Sequence, residues 1–312
     1  MGPMLRLVAT CLTAAACLLG PGLTQAHAYG EPGPGTKLAG CPVMPRSNPW
    51  NRDISRAKVH PLSSRYIAAI GLSTTLHPDF GSGRWGNYGI PFRVVGRGQK
   101  KIPVLFTAFG SESDRGPYPI PLDTRVEGGS DDHVIALQRG TCRLYELYRA
   151  RRGKGRWLAD SGARFSLRSN RLRPAGWTSA DAAGLPILPG LVKAGEANSG
   201  RITHAIRVTV SETQRGYIHP ARHFASSSTR RSLPPMGLRL RLKPGYRLSR
   251  FSGQSLAILR AMKKYGLIVA DNGSDMYFSG TPDRRWNDDV LDQLKSVPAR
   301  AFEAVATGRI HR

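Results

Sequence analysis

The stretch HVIALQRGTCRLYELYRA (residues 133–150) contains two runs of β-branched, aromatic and aliphatic residues on either side of the short turn RGT. Two such runs around a short polar turn predict a β-hairpin. Comparable runs recur on both sides of it, with Gly- and Pro-rich joints between them. This spacing predicts a mainly β fold, a single antiparallel β-sandwich domain of jelly-roll-like type. The other runs are residues 90–96, 102–109, 157–167, 201–211, 215–223 and 236–243.

Three stretches have a helical pattern instead. Residues 63–71 begin with serines and end at a glycine, and residues 253–266 carry an apolar stripe ahead of a glycine. Residues 287–297 have acidic residues in their first turn, which suits the helix dipole. We therefore expect two or three peripheral helices. Residues 267–280 hold two apolar runs around DNGS, which predicts a hairpin.

The first 28 residues have the pattern of a secretory signal peptide. Arg6 precedes an apolar run that is too short for a membrane span, and AHA at residues 26–28 is a cleavage pattern. An uncleaved membrane anchor is the alternative. Residues 29–40 are rich in Pro and Gly and predict a flexible linker, which leaves residues 41–312 as a single β-rich domain. The protein is expected to be secreted, without stable membrane insertion after signal cleavage.

Two of the four cysteines lie in the predicted signal peptide, and Cys41 and Cys142 remain. An even pair in an exported protein predicts a disulfide bond; the alternative is two separate buried thiols. The bond would close a loop of roughly a hundred residues and stabilise the fold by about 4 kcal/mol in the chain-entropy model.

The formal net charge of +25 favours anionic partners. The basic residues are dispersed in short clusters such as RRGKGR (residues 151–156), without a long basic arm or a helix-turn-helix pattern, so no nucleic-acid partner is expected. The sequence has no Cys/His metal module and no Gly-rich phosphate or dinucleotide motif, so neither a metal nor another cofactor is expected. His219 and His223 have the spacing of a helical metal pair, but Pro220 argues against a helix, and the two side chains are expected to diverge.

The candidate catalytic residues come from the strand faces, because side chains alternate along a strand. Glu146, His204 and His133 all align with apolar neighbours, on faces that are expected to be buried. A carboxylate and a histidine that face one cleft from neighbouring strands would have shifted pKa values and could act as general acid and base. The alternative is that Glu146 points outward, with Tyr145 in the core, and that the histidines are ordinary core residues.

The string RPAGWTSADAAGLPILPG (residues 173–190) is too apolar for an ordinary surface loop and too broken for a regular helix or strand. We expect an ordered loop that forms one wall of a cleft, with a helical turn at residues 181–183. Trp177 would stack on a ligand or fill the core. Asp181 would either cap the turn or act as a cleft carboxylate beside Glu146, the arrangement of two carboxylates that glycosidases use.

Several strings together resemble a family of exported bacterial proteins of unassigned function. They cover nearly the whole predicted mature chain and include NPWNRDIS, LHPDFG, LYELY, RPAGWTSADAAGLPILPGLV, HAIR, PARHFASSS, PPMGLRLRLK and YGLIVADNG. Members of that family look like secreted proteins, some joined to carbohydrate-binding modules. The resemblance implies a glycan-rich environment and brings no catalytic residue with it.

These observations favour a secreted carbohydrate-active protein, a hydrolase or a lyase, with a polysaccharide or cell-wall glycan as its partner. In a hydrolase, Glu146 and Asp181 would form the acid/base pair. In a lyase, Tyr145 or one of the two histidines would remove a proton next to a uronate, and Arg207 would neutralise its carboxylate. The positive charge favours an acidic polymer.

The alternative function is a non-catalytic cell-wall or glycan-binding domain. Its ligand would then be held by aromatic residues, for which Trp50, Trp85, Tyr118 and Trp177 are the candidates. The two functions differ in one measurable respect. Changing Glu146 to Gln would abolish an enzymatic activity but leave the binding by a pure adhesin almost unaltered.

Overall fold

The computed structural model describes residues 1–2 and 37–312, so nearly all of the predicted signal peptide and the first part of the linker lie outside the described residues. Of the described residues, 26% lie in strands and 17% in helices, which agrees with the predicted mainly β fold. In chain order the strands are β1 (Lys37–Leu38), β2 (Cys41–Pro42), β3 (His77–Asp79), β4 (Phe92–Val95), β5 (Val104–Phe106), β6 (Val134–Gln138), β7 (Arg143–Tyr148), β8 (Arg151–Gly153), β9 (Arg156–Ala159), β10 (Ser161–Ser166), β11 (Ile206–Val210), β12 (Tyr217–Ile218), β13 (Arg239–Leu242), β14 (Leu267–Asn272), β15 (Tyr277–Ser279), β16 (Phe302–Val305) and β17 (Ile310–His311).

The predicted helices are present as α1 (Ser63–Ile70), α3 (Gly253–Lys264) and α4 (Asp288–Asp292), and α2 (Ala194–Asn198) is a further short helix. Within α3 the apolar stripe Ile258, Leu259 and Met262 is buried, as expected for an amphipathic helix. In the part of the chain that is described, no helix is long and apolar enough to cross a membrane. Short 3-10 turns lie at Pro49–Asn51, Gly110–Glu112, Leu188–Gly190, Gln293–Ser296 and Ala299–Ala301.

The largest sheet has six strands in the order β16-β13-β14-β11-β15-β3. The hairpin predicted for residues 267–280 is wrong, because β11 lies between β14 and β15. Strand β14 is parallel to β11 and antiparallel to β13. Its continuous apolar run is typical of a strand buried on both faces in the middle of a sheet, so periodicity alone does not reveal its partners.

A second sheet has the order β10-β7-β6-β4, and the hairpin predicted from residues 133–150 is its β6–β7 pair. The prediction of an antiparallel arrangement is wrong for four pairs of the described strands: β4–β6, β5–β9, β11–β14 and β15–β3 are parallel. Parallel pairing needs a long connection, and the Pro- and Gly-rich loop of residues 111–132 supplies one between β4 and β6. The smaller sheets are β5-β9-β8, β1-β2 and β12-β17.

The four-stranded sheet separates two hydrophobic cores. Leu144 belongs to the main core, which also includes residues of the six-stranded sheet, whereas Tyr145 and Leu147 belong to a smaller core beneath β5 and β9. Side chains therefore alternate between the two cores along β7, and Glu146 shares the face of Leu144. That face places Glu146 between the two large sheets.

The predicted disulfide bond between Cys41 and Cys142 is present, with Cα atoms 5.3 Å apart. It joins β2 to the turn that precedes β7. Residues 37–40, predicted to belong to the flexible linker, instead form the hairpin β1–β2. The disulfide explains this order, since it fixes the end of that hairpin against the four-stranded sheet.

Candidate functional site

The segment of residues 173–190 is an ordered loop that is fixed at its start by Arg173. The Arg173 guanidinium donates to Asp114 Oδ2 at 2.6 Å and to two backbone carbonyl oxygens. The turn in the middle of the loop requires a glycine, because Gly184 has a φ of +70° and a Cβ there would lie 2.5 Å from the Trp177 carbonyl oxygen. The loop is therefore held in one conformation by charge and by backbone sterics.

The centre of this loop forms one wall of a cavity of about 530 Å³, in agreement with the wall predicted from its composition. The loop contributes Thr178, Ser179, Ala180 and Ala182 to the lining. The turn predicted at residues 181–183 is present as a single hydrogen-bonded turn, in which the Gly184 N–H donates to the Asp181 carbonyl oxygen. The other walls include the aromatic residues Phe109, Tyr148 and Phe224 and the ionisable residues Asp131, Arg215, His223 and Asp271.

Arg207 lies on β11 behind this wall, between two carboxylates. Its Nε and Nη2 donate to the two carboxylate oxygens of Asp181 at 3.1 and 3.0 Å, a bidentate pair. Nη2 also donates to Asp271 Oδ2 at 3.1 Å, and Nη1 donates to Ser279 Oγ at 2.9 Å. The parallel pairing of β11 with β14 brings Asp271 beside this strand, where its register partner is Thr209. The Arg207 side chain is thus already occupied by protein groups.

Asp271 is the carboxylate of this group that reaches the cavity. Its side chain is 18% exposed, whereas that of Asp181 is 0% exposed. Burial and the neighbouring Asp181 raise the pKa of Asp271 to about 7, against the opposing charge of Arg207. Burial also raises the pKa of Asp181. Because two carboxyl groups share one guanidinium, Asp271 can hold a proton near neutral pH while it faces the cavity.

Glu146 is fully buried on β7 and anchors the loop. Its Oε1 accepts hydrogen bonds from the N–H groups of Ile187 and Leu188, both at 3.0 Å. Burial raises the pKa of Glu146 to about 7, although these two hydrogen bonds favour the ionised form. Glu146 does not line the cavity. It fastens the loop to the four-stranded sheet, and its predicted acid/base role stays a prediction.

His133 connects the same loop to a second carboxylate. Its Nδ1 lies 2.5 Å from Glu127 Oε2, and its Nε2 lies 2.9 Å from the Ala180 carbonyl oxygen. Both neighbours are hydrogen-bond acceptors, so the protonated ring donates on both sides. Burial opposes the charged ring, but Glu127 outweighs it and raises the pKa of His133 to about 9. His133 is therefore a buried cation that positions Ala180 in the cavity wall.

His204 belongs to a different cluster. Its Nε2 lies 3.1 Å from Glu196 Oε2, its Nδ1 lies 2.7 Å from the Ala205 carbonyl oxygen, and Lys193 Nζ is 3.5 Å from Glu196 Oε1. Burial favours the neutral carboxyl group, but Lys193 and His204 outweigh it and lower the pKa of Glu196. His204 does not line the cavity, and the prediction that it faces one cleft with Glu146 finds no support in this geometry.

Four predicted residues form a network of interacting charges behind the cavity wall, Glu146, His133, Asp181 and Arg207, although among these four only Asp181 and Arg207 are joined by hydrogen bonds. Burial raises the pKa values of Glu146 and Asp181, and the positive charges of His133 and Arg207 oppose part of that rise at both residues. None of the four lines the cavity itself. The network supports the wall from behind, and any role of these side chains in chemistry stays a prediction.

The other two predicted residues also lie outside the cavity lining. Tyr145 is buried on the opposite face of the four-stranded sheet, where its ring centroid is 5.3 Å from that of Tyr118. Trp177 is half-buried, with the Arg173 guanidinium carbon 5.5 Å from its ring centroid. Tyr145 therefore acts as a core residue, and Trp177 packs on the arginine that fixes the loop.

The aromatic residues proposed for glycan binding separate into two groups. Trp50 and Tyr118 are 1% and 0% exposed, so they cannot stack on a ligand in this conformation. Of the candidates, Trp85 is 65% exposed on the loop after β3, and Tyr88, which was not among the candidates, is 54% exposed on the same loop. The Arg84 guanidinium carbon lies 4.6 Å from the Trp85 ring centroid. This loop presents an aromatic and cationic surface to solvent.

Sequence reasoning missed the ionisable residues that line the cavity. Asp271 follows the apolar run LIVA directly, and the end of a buried strand is the signal that could have identified it. Asp131 lies in a polar loop without a distinguishing pattern. The predicted divergence of His219 and His223 is correct, since His223 lines this cavity and His219 lines a separate one. Within the described ranges, no group of three or more His, Cys, Asp or Glu residues is placed to hold a metal ion.

No protein-family model, no curated protein and no solved structure matches this chain.

Proposed function

We propose that this chain is a secreted carbohydrate-active enzyme, a hydrolase whose active site is the cavity beside residues 173–190, with Asp271 as the general acid. One observation carries the proposal: Asp271 is partly exposed in the cavity, and its pKa is raised to about 7. A carboxylic acid that keeps its proton near neutral pH can protonate a leaving-group oxygen. Asp131 also lines the cavity and is the candidate for the second carboxylate of the pair.

The composition of the cavity supports a sugar as the ligand. Its volume of about 530 Å³ suits one or two sugar rings. Tyr148, Phe109 and Phe224 offer aromatic faces, against which the apolar faces of sugar rings pack, and Ser226 and Asn272 offer polar groups for sugar hydroxyls. Aromatic walls with a few polar groups are typical of small-molecule sites.

A hydrolase is favoured over a lyase because Arg207 is not free to neutralise a uronate. Its guanidinium already binds Asp181 and Asp271, and it lies behind the wall. The lining itself combines Asp131 and Asp271 with Arg215 and His223, so it lacks the strong positive charge that an acidic polymer would require. We therefore propose a neutral polysaccharide or cell-wall glycan as the substrate at this cavity.

The cellular setting and the domain arrangement are part of the same proposal. The Cys41–Cys142 disulfide bond is typical of proteins outside the reducing cytosol, which supports secretion. The main core includes residues of both large sheets, such as Leu144 and Val208, which supports a single sandwich-like domain. The cavity then lies at the contact between these two sheets.

The test is a screen of the purified protein against neutral polysaccharides and cell-wall glycans for newly released reducing ends. We expect Asp271→Asn to reduce the rate by at least about a hundredfold, because general acid catalysis contributes on that order. The matched control is Asp289→Asn, which changes a surface carboxylate that is 80% exposed. Equal rates for Asp271→Asn and the wild type on an active substrate would refute the role of Asp271.

The second candidate function is a non-catalytic glycan-binding domain. The exposed loop with Trp85 and Tyr88 is the observation that favours it, since flat aromatic surfaces bind sugar rings. Binding to insoluble polysaccharides is the assay. Under this function, Trp85→Ala weakens the binding and Asp271→Asn leaves it unchanged, and the screen above detects no released sugar.

A further inference from the structure

A second cavity, of about 200 Å³, shares no lining residue with the main cavity. Strand β13, the turn after β12 and the 3-10 turn Pro49–Asn51 all contribute to it. Its charged and titratable lining groups are Arg52, His219 and Arg239, and all three are basic. The proposed hydrolase function does not use this cavity.

Arg239 is the unusual residue of the cavity. It is 3% exposed, and its guanidinium donates only to the backbone carbonyl oxygens of Tyr265 and Pro49. A guanidinium has five N–H donors, so most of its hydrogen-bonding capacity is unused. No carboxylate among the described residues lies within ion-pairing distance of Arg239. Burying an unpaired cation is costly, which makes this arrangement one that requires an explanation.

The other buried arginines of the described chain differ in this respect. Arg207 pairs with Asp181, Arg241 pairs with Glu303, and Arg173 pairs with Asp114. The protein thus supplies a carboxylate to each of these three buried guanidinium groups. Arg239 therefore differs from the other buried arginines in having no carboxylate partner among the described residues. A bound anion would supply the counter-charge that these residues do not.

The groups around Arg239 add to its positive field. Arg52 is exposed at the rim of the cavity, and burial and the charge of Arg52 lower the pKa of Arg239 to about 9. Burial also lowers the pKa of His219, and Arg222, His311 and Arg52 act on it in the same direction. The side chains that act on the pKa values of Arg239 and His219 in this way, Arg52, Arg222 and His311, are all basic.

The cavity also contains an unused hydroxyl group. Thr307 Oγ1 is buried and has no hydrogen-bond partner among the described residues. The acidic residue next to Arg52 does not serve the cavity, because Asp53 accepts hydrogen bonds from Ser55 and lies 3.9 Å from Lys264. A buried guanidinium and a buried hydroxyl, both with donors to spare, line one small space.

We infer that this cavity is a binding site for a tetrahedral oxyanion, a phosphate or sulfate group, held by Arg239, Arg52 and Thr307. The planar guanidinium of Arg239 can donate two parallel hydrogen bonds to such a group. Arg52 would close the rim over it, and the Thr307 hydroxyl would donate to a further oxygen. The volume of about 200 Å³ is large enough for the free ion and for a small ester of it.

Isothermal titration calorimetry of the full chain with inorganic phosphate and with sulfate tests this inference. We expect saturable binding at one site. Arg52→Ala should weaken it by about tenfold, as expected for the loss of a hydrogen bond to a charged group. The matched control is Arg56→Ala, which removes an exposed arginine of the same segment that does not line this cavity.

A second variant removes the effect of overall charge. Thr307→Val keeps the net charge and the side-chain shape but deletes the hydroxyl group, and it should also weaken phosphate binding. Arg239→Gln should abolish binding, with circular dichroism to check its fold; if it does not fold, Arg52→Ala and Thr307→Val decide the matter. Binding that does not saturate, or that Arg52→Ala and Arg56→Ala reduce equally, would overturn the inference.

Competition distinguishes the free ion from an ester. Glucose 1-phosphate should displace bound phosphate if the natural occupant is a sugar phosphate, whereas failure to compete restricts the site to the free ion. Because the cavity is separate from Asp271, Asp271→Asn should leave phosphate binding intact. Loss of the proposed hydrolase activity in that variant and loss of oxyanion binding in Arg52→Ala are therefore independent results.

Discussion

Replacing Glu146 with Gln should change the way stability depends on pH. Glu146 is fully buried, and burial raises its pKa from 4.5 to about 7 in the folded protein. A raised pKa means that the folded state binds a proton more tightly than the unfolded state does. This contribution to stability is fully present below pH 4.5 and is lost as the pH rises through 7.

The size of the effect follows from the shift. One pKa unit corresponds to 1.36 kcal/mol, so the change from 4.5 to about 7 corresponds to about 3 kcal/mol in all. Most of it falls between pH 5 and pH 8, where the expected loss is about 2–3 kcal/mol. Glutamine has no proton to lose, and its carbonyl oxygen can still accept from the N–H groups of Ile187 and Leu188.

The assay is urea unfolding of the wild type and of Glu146→Gln at pH 5, 6, 7 and 8, with the disulfide bond intact. Between pH 5 and pH 8, the wild type should lose about 2–3 kcal/mol of unfolding free energy that the variant does not lose. The control is Glu212→Gln, which changes a carboxylate that is 62% exposed. Parallel pH profiles for the wild type and Glu146→Gln would refute the assignment of Glu146 as a buried, proton-binding anchor.

Three further changes test other parts of the fold. Removing the disulfide bond with Cys41→Ser and Cys142→Ser, whose residues are separated by 101 positions, should lower the free energy of unfolding by about 4–5 kcal/mol, measured by urea unfolding against the wild type with its disulfide bond intact. Gly184→Ala should lower the melting temperature more than Gly176→Ala does, because both have a positive φ but only the Cβ at Gly184 meets backbone within 4 Å; equal effects would contradict this. Arg207→Met should cost about 3–5 kcal/mol at pH 8 and less at pH 5, because it leaves the buried Asp181 and the partly exposed Asp271 without their counter-charge, and both can take up protons at the lower pH; a pH-independent loss in urea unfolding would contradict it.

Local patterns predicted the elements that local forces determine. The hairpin of residues 133–150, the helices α1 and α3 and the faces of β7 all follow from alternation or from a helical stripe. The parallel pairs do not, because the position of a strand in a sheet depends on how long connections return the chain, and no short pattern encodes that. The placement of β11 between β14 and β15 is the clearest example.

For the candidate site, the burial of side chains was partly predictable from the sequence, but their partners were not. Burial of Glu146, His133 and His204 follows from strand faces and from apolar neighbours, whereas the burial of Arg207 does not. Strand faces and apolar neighbours do not show which acidic residue pairs with which basic residue. The ion pair between Arg207 and Asp181 was therefore not predicted. His204 illustrates the limit: it is buried as predicted, but its partner is Glu196 from the adjacent helix rather than a residue of the cavity wall.

The loop of residues 173–190 bridges the two large sheets. Ile187 binds Glu146 of the four-stranded sheet, and the Ala183 N–H donates to the Ala270 carbonyl oxygen of the six-stranded sheet at 2.9 Å. The amide hydrogens of Ala183 and Ile187 should therefore exchange with solvent only when the sheets separate, at rates close to those of global unfolding. A wall that opens so rarely leaves the main cavity preformed, and ligand entry would be set by diffusion and orientation rather than by a slow opening step.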